Sequence, residues 1–267
     1  MPAYTVVTGA SRGIGKAFAT ECASRGRDLI LVSLPGEGLA ELAGNLENRF
    51  GVQVAWHETD LTADCAVSDF YAWCGAKGFR IDMLINNAGL GSQGKFELSK
   101  PGEFQNIMQV NVNALVNMCW GALDSLKGQE QSHILNVGSI GAFIPLPYKA
   151  VYSASKHFVL AFSNALHYEL KDSPVFVGCL CPGPTLTNDF HKEQVKEMGL
   201  KARLLTKTAD EVARYGIDGI LNRKRVIVPG MANKVITKLG RLLPTSYRLW
   251  LAGSTFSDSP FNHIERD

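Results

Sequence analysis

The chain has little of what marks proteins that work through massed charge, metal ions or membrane insertion. Its 267 residues carry a formal net charge of +2 and no long run of one sign. Nucleic acid therefore has no electrostatic footprint to bind. Six cysteines, Cys22, Cys65, Cys74, Cys119, Cys179 and Cys181, form neither a zinc-like pairing nor a dense disulfide framework, and they are expected to be reduced core thiols. The histidines at 57, 133, 157, 167, 191 and 263 are scattered, so no metal site is expected. The longest informative uncharged window, Phe104 to Leu123, holds Gln105, Asn106, Gln109, Asn111, Asn113 and Asn117, which reads as a buried helix and not a bilayer span. Met1 is followed within a few residues by a strand-like run, without the basic and apolar regions of a signal peptide, and a cytoplasmic location is expected.

What is present is ample apolar material, 46% of residues, enough for one large α/β domain over residues 1–267. The chain is organised around Thr8-Gly9-Ala10-Ser11-Arg12-Gly13-Ile14-Gly15. The β-branched run Tyr4 to Thr8 precedes it and a helical apolar pattern follows from Gly15. Glycines in such a turn allow positive φ and close backbone approach, and a helix N-terminus favours an anion. The turn reads as a phosphate cradle.

Beyond it, strand-like and helix-like runs alternate: strands at 28–33, 52–56, 82–86, 134–137, 175–180 and 226–228, with helices between them at about 38–50, 64–76, 102–127, 152–170 and 209–221. Apolar strands separated by helices require right-handed crossovers and a parallel sheet covered on both faces. The expected fold class is α/β, a doubly wound parallel sheet of Rossmann type with a C-terminal helical extension. Residues 185–207 are polar and weakly periodic and are expected to form a lid over the substrate. In the extension, residues 231–267, Lys234, Lys238, Arg241 and Arg248 alternate with apolar residues. Packing on its own domain or on a partner subunit is the expected use, with a membrane surface as the alternative.

The glycine turn is joined downstream by Asn86-Asn87-Ala88-Gly89, by Ser139, by Tyr152-Ser153-Ala154-Ser155-Lys156 and by Pro182-Gly183-Pro184-Thr185. Together, over about residues 4 to 230, these resemble the short-chain dehydrogenase/reductase family, and within it a bacterial reductase subgroup that includes some hydroxysteroid dehydrogenases. The resemblance implies that Ser139, Tyr152 and Lys156 act with Asn111 as the catalytic set, Asn111 holding a water that relays protons to Lys156. It also implies that Gly9, Ser11, Arg12, Gly13, Ile14 and Gly15 cradle a dinucleotide, and that Asp60 and Leu61 lie at its adenine. Asn87, Ala88 and Gly89 would flank the ribose, and Pro182, Gly183, Thr185 and Thr187 would close on the nicotinamide. A homodimer or homotetramer built on the long helices is implied as well.

Read from the residues themselves, Tyr152 and Lys156 lie one turn apart on one helix face. A phenol with a pKa near ~10 must shift by about 3 units to serve near neutral pH, and an ammonium ~4–5 Å away at an effective dielectric of ~20 supplies that much. The plainer readings are a surface pair for Tyr152 and Lys156, a turn serine for Ser139, a helix-interior polar residue for Asn111 and a helix cap for Asp60. The second strand ends in Ser33-Leu34-Pro35-Gly36 with no acid to bind a ribose 2′-hydroxyl, and Glu37 is assigned to the following turn; the family resemblance implies that Arg12 pairs with a 2′-phosphate, its plainer reading being a solvated loop charge. The expected activity is NADP(H)-dependent hydride transfer with a small-molecule ketone or secondary alcohol. The alternatives are a non-catalytic nucleotide-binding redox sensor and a membrane-associated reductase of a lipid or steroid ketone.

Overall fold

The structure is a computed structural model that describes residues 3–92, 94–187, 205–240 and 243–256. Strands β1 (Ala3–Thr8), β2 (Asp28–Ser33), β3 (Val54–Glu58), β4 (Arg80–Asn86), β5 (Ser132–Val137), β6 (Val175–Leu180) and β9 (Val226–Ile227) form one seven-stranded sheet in the order β3-β2-β1-β4-β5-β6-β9. Every neighbouring pair is parallel. Helices α1 (Gly13–Ser24), α2 (Leu39–Phe50), α3 (Ala66–Ala76), α4 (Pro101–Met108), α5 (Leu115–Lys127), α6 (Ala150–Glu169) and α7 (Ala209–Leu221) make the crossovers. The doubly wound architecture expected from the alternation is the one found.

The period of two along each strand divides the core. Leu29 and Leu31 face a layer with Phe18, Ile85 and Ile217, while Ile30 and Val32 face the opposite layer with Phe70, Leu84 and Met118. Both layers are dominated by apolar side chains because a parallel sheet is covered on both sides. The order of the sheet reverses between β1 and β4. Outside the carboxyl ends of those strands lies the crevice that open α/β sheets use for ligands.

Three details differ from the expected boundaries. The third strand begins at Val54, because Gly51 at φ 69° caps α2 and the Gln53 amide is drawn to the Asp28 carboxylate at 2.8 Å. The long helix over 102–127 is interrupted by a π-helical turn, Gln109–Ala114. Cys65 is exposed, unlike the other five thiols, because it sits on the solvent side of the turn entering α3.

Of the expected lid over 185–207, residues 188–204 lie outside the described residues; its two ends, β7 (Thr185–Leu186) and β8 (Lys207–Thr208), pair in parallel. The extension contains helices α8 (Met231–Gly240) and α9 (Thr245–Phe256). Among the described residues no helix is long and apolar enough to cross a membrane.

Candidate active site

The glycine turn joins β1 to the first turn of α1. Gly9 and Gly13 adopt φ of 64° and 57°, which side chains resist. A Cβ on Gly15 would lie 1.9 Å from the Gly9 carbonyl oxygen, so the two backbones cross without room for any side chain. No acidic residue and no side-chain cap occupies the first turn of α1, whose N–H groups and dipole therefore remain open to an anion. Thr8, which sequence reasoning passed over, ties this turn to its neighbour: its hydroxyl oxygen accepts from the Asn87 and Ala88 amides, both at 3.0 Å.

A cleft of about 480 Å³ opens over these elements. Gly9, Ser11, Arg12, Ile14, Asp60, Leu61, Asn87, Ala88, Gly89 and Thr187 are among the residues that line it, and Gly13 and Gly15 are not. The Asp60 carboxylate also accepts from the Thr62 amide and hydroxyl, both at 2.9 Å, which closes a local turn and caps no helix, since α3 starts at Ala66 with Cys65 as its N-cap residue. Glu37 departs from expectation. It does not turn away with the loop but lines the cleft, 3.5 Å from the Arg12 guanidinium and accepting the Ser11 hydroxyl. Gly36 and Gly38, at φ 77° and 76°, bend the chain back and bring Glu37 over the end of β2.

A second pocket of about 500 Å³ continues from the first, sharing Ile14, Asn87, Gly89, Leu90 and Thr187. Ser139, Tyr152 and Lys156 converge on it, with Pro182, Gly183 and Thr185 beside them. Ser139 follows β5; its oxygen accepts from the Gly141 amide at 3.0 Å, the turn-serine role, and the residue lines the pocket beside Tyr152. Lys156 is 5% exposed and donates to the Val137 carbonyl at 2.9 Å, its Nζ 5.9 Å from the centre of the Tyr152 ring.

These contacts correct the expected pKa logic. Burial pushes the Tyr152 phenol up, with the Ser139 hydrogen bond opposing, and burial pulls the Lys156 ammonium down to about 8. The desolvation of both groups outweighs their mutual influence. The phenol of this site is thus held protonated and is not preset as a phenolate.

Asn111 lies in the π-helical turn and is fully buried. Its Oδ1 accepts from the Leu90 amide at 2.8 Å and its Nδ2 donates to the Leu90 carbonyl at 2.9 Å and to Ser155 Oγ at 3.0 Å. A Cβ on Gly89 would sit 3.2 Å from Asn111 Oδ1 and 3.4 Å from Lys156 Nζ, so Gly89 leaves room for both side chains, of which Lys156 lines the pocket and Asn111 does not. The structure adds residues that no motif announced. Lys149 lines the catalytic pocket, and Asn233 of α8 packs so closely on Gly183 that a Cβ there would lie 2.7 Å from its Nδ2. Among the described residues no group of His, Cys, Asp or Glu could hold a metal. The side-chain-free cradle at Gly9 and Gly15, below the open N-terminus of α1, fits a dinucleotide pyrophosphate.

Comparison with known proteins agrees with this geometry. The family profile described as short chain dehydrogenase matches residues 3–198. The chain is 33% identical over 222 residues to human 17-beta-hydroxysteroid dehydrogenase type 3, covering 82% of this chain and 68% of that protein. It is 30% identical over 221 residues to the rat very-long-chain 3-oxoacyl-CoA reductase, covering 75% and 70%. A short-chain dehydrogenase from Sphingobium yanoikuyae, solved in complex with NADPH, superposes with a TM-score of 0.77 at 26% identity and covers 100% of this chain and 99% of that one. With the glycine cradle, the serine, tyrosine and lysine of the pocket and the parallel sheet all in their places, this chain belongs to the short-chain dehydrogenase/reductase family of oxidoreductases that act on carbonyl and alcohol substrates.

Proposed function

We propose that the protein is an NADP(H)-dependent reductase of ketones carrying a large apolar group, with Tyr152 as the proton donor. The observation that carries this reading is the convergence of Ser139, Tyr152 and buried Lys156 on one pocket that is continuous with the glycine cleft. The nicotinamide supplies the hydride that adds to the carbonyl carbon. Ser139 and Tyr152 present two hydroxyls to the carbonyl oxygen, and Tyr152, kept neutral by burial, gives that oxygen its proton. Lys156 holds positive charge behind the phenol while pinned to Val137, and Asn111 fixes the Leu90 backbone at the rim of the site. A protonated phenol suits reduction over oxidation, because oxidation of an alcohol needs the phenolate as base.

Arg12 at the cleft mouth and the NADPH complex of the Sphingobium relative support the phosphorylated cofactor. The named substrates of the two relatives, a steroid and a very-long-chain acyl thioester, support an apolar ketone. The intact Ser139, Tyr152 and Lys156 set favours turnover over a redox-sensing role. Association through the long helices is part of the proposal, supported by Trp120 on α5 and Tyr168 on α6, which are 78% and 69% exposed. Following NADPH absorbance across a panel of ketones tests the activity. Tight NADPH binding with no oxidation on any ketone, and no reduction of NADP on the matching alcohols, overturns it.

A further inference from the structure

Helix α8 is built inside out. Its buried face carries the polar residues Asn233 and Thr237, 1% and 5% exposed, while Met231, Val235 and Leu239 point outward at 73%, 49% and 57% exposed. Asn233 is drawn inward by the carbonyls of Leu205 and Pro229, and Thr237 bonds back to the Asn233 carbonyl, so the inner face is fixed by hydrogen bonds and the apolar stripe is left outside. The spacing of four residues places Met231, Val235 and Leu239 in one row, with Lys234 and Lys238 along its border. Helix α9 exposes an aromatic pair of its own: Tyr247 and Trp250 lie with ring centres 5.7 Å apart and are 48% and 65% exposed.

The surface is also fixed next to the catalytic pocket. Arg248 donates to the Phe143 carbonyl at 3.3 Å, and Gly253 approaches Pro147, so α9 rests on the loop that runs from Ser139 to Lys149. Between Met231 and Phe256 the sequence has Lys234, Lys238, Arg241 and Arg248 and no acidic residue. An apolar row edged by lysines on α8, and an exposed tryptophan and tyrosine on α9, match the composition of helices that lie in the interface of a bilayer. A second copy is the poorer fit, because a two-fold contact sets the same lysines and arginine against each other with no carboxylate in the segment to pair them.

The geometry points to α8 and α9 as a peripheral docking face for an anionic lipid surface, seated beside the mouth of the active site. The expected packing of the extension on its own domain holds for its inner face only. This inference does not depend on the redox reading, since binding is measured without nicotinamide or substrate.

The test is co-sedimentation of the full-length protein with phosphatidylcholine vesicles prepared with and without phosphatidylserine. The protein should pellet with the serine-containing vesicles at low salt and be released at high salt. Replacing Met231, Val235 and Leu239 together by Ser should abolish pelleting. Lys234→Glu with Lys238→Glu should weaken it by roughly tenfold or more. Unchanged circular dichroism and unfolding midpoint show that each variant is folded. Absence of pelleting with the anionic vesicles overturns the proposal. So does a solution mass of two or more chains that falls to one in the triple-serine variant while vesicles bind neither form, which assigns the face to a second copy.

Discussion

The Arg12 guanidinium lies 3.5 Å from the Glu37 carboxylate at the mouth of the nucleotide cleft. The Arg12 side chain is 83% exposed, so this ion pair is worth at most about 1 kcal/mol, whereas a charge-assisted contact with a 2′-phosphate contributes about 1.5–3 kcal/mol. Arg12 can therefore leave Glu37 for a phosphate at small cost, but the carboxylate left behind repels the same phosphate. Two substitutions should move cofactor choice in opposite directions. Arg12→Ala should lower the NADPH-to-NADH ratio of kcat/KM by roughly ten- to hundredfold, and Glu37→Gln should raise it several-fold. Equal efficiency with both cofactors in the unmutated protein would refute the preference, and an unmoved ratio in Glu37→Gln would place the carboxylate away from the 2′ position.

In the proposed mechanism Tyr152→Phe removes the proton donor while keeping the ring in the pocket beside Ser139. Turnover should fall by about 10²- to 10⁴-fold, with the NADPH dissociation constant changed only slightly. Fluorescence titration of the cofactor beside steady-state kinetics separates the two effects. Near-normal turnover in this variant would remove Tyr152 from the mechanism.

In the proposed mechanism Lys156 sets the alkaline limit of the reaction. Burial holds its ammonium at about 8, so the charge behind the phenol is present below that pH and lost above it. For reduction, kcat/KM should be level on the acid side and decline above about pH 8, since this parameter reports the free enzyme. Lys156→Met should be slow at every pH and lack the decline. A limb that persists unchanged in the variant would assign it to another group.

His133, 4% exposed on β5 with neither ring nitrogen hydrogen-bonded, makes stability sensitive to acid. Burial first, then the charges of Arg27 and Arg223, lower its pKa to about 4. The folded pKa is depressed, so stability is full above the unfolded value near 6.5 and is lost as pH falls towards 4, by up to about 3 kcal/mol. Denaturant unfolding at pH 7 and pH 5 should show this loss, and His133→Leu should shrink it. An equal pH dependence in that variant would point to other groups.

The sheet, the helices and the cleft were legible because each rests on a local pattern: β-branched runs, helical spacing and glycines at a strand end. Ser139, Tyr152 and Lys156 were legible because a motif joins them to the fold. What escaped depends on neighbours distant in sequence. Glu37 reaches the cleft only through two left-handed glycines, and Asn233 reaches Gly183 from fifty residues downstream. The pKa of Lys156 escaped for a related reason, since spacing places it near Tyr152 but cannot show how completely the Val137 strand end covers it. The outward row on α8 was not legible either, because hydrogen bonds of Asn233 and Thr237, not hydrophobicity, decide which face is buried.

The π-helical turn at Gln109–Ala114 amounts to a one-residue insertion carried in the middle of a helix. Each residue of an α-helix advances the face by about 100°, so the insertion sets α4 and α5 out of phase with each other. Removing one residue from the turn would let the helix run on as regular α-helix and would rotate one half against the other. Asn111 would then swing away from Leu90, whose amide and carbonyl would both lose their partner. At this point in the chain, helical regularity and a set active site are alternatives, and the irregular form is the one that reaches the pocket.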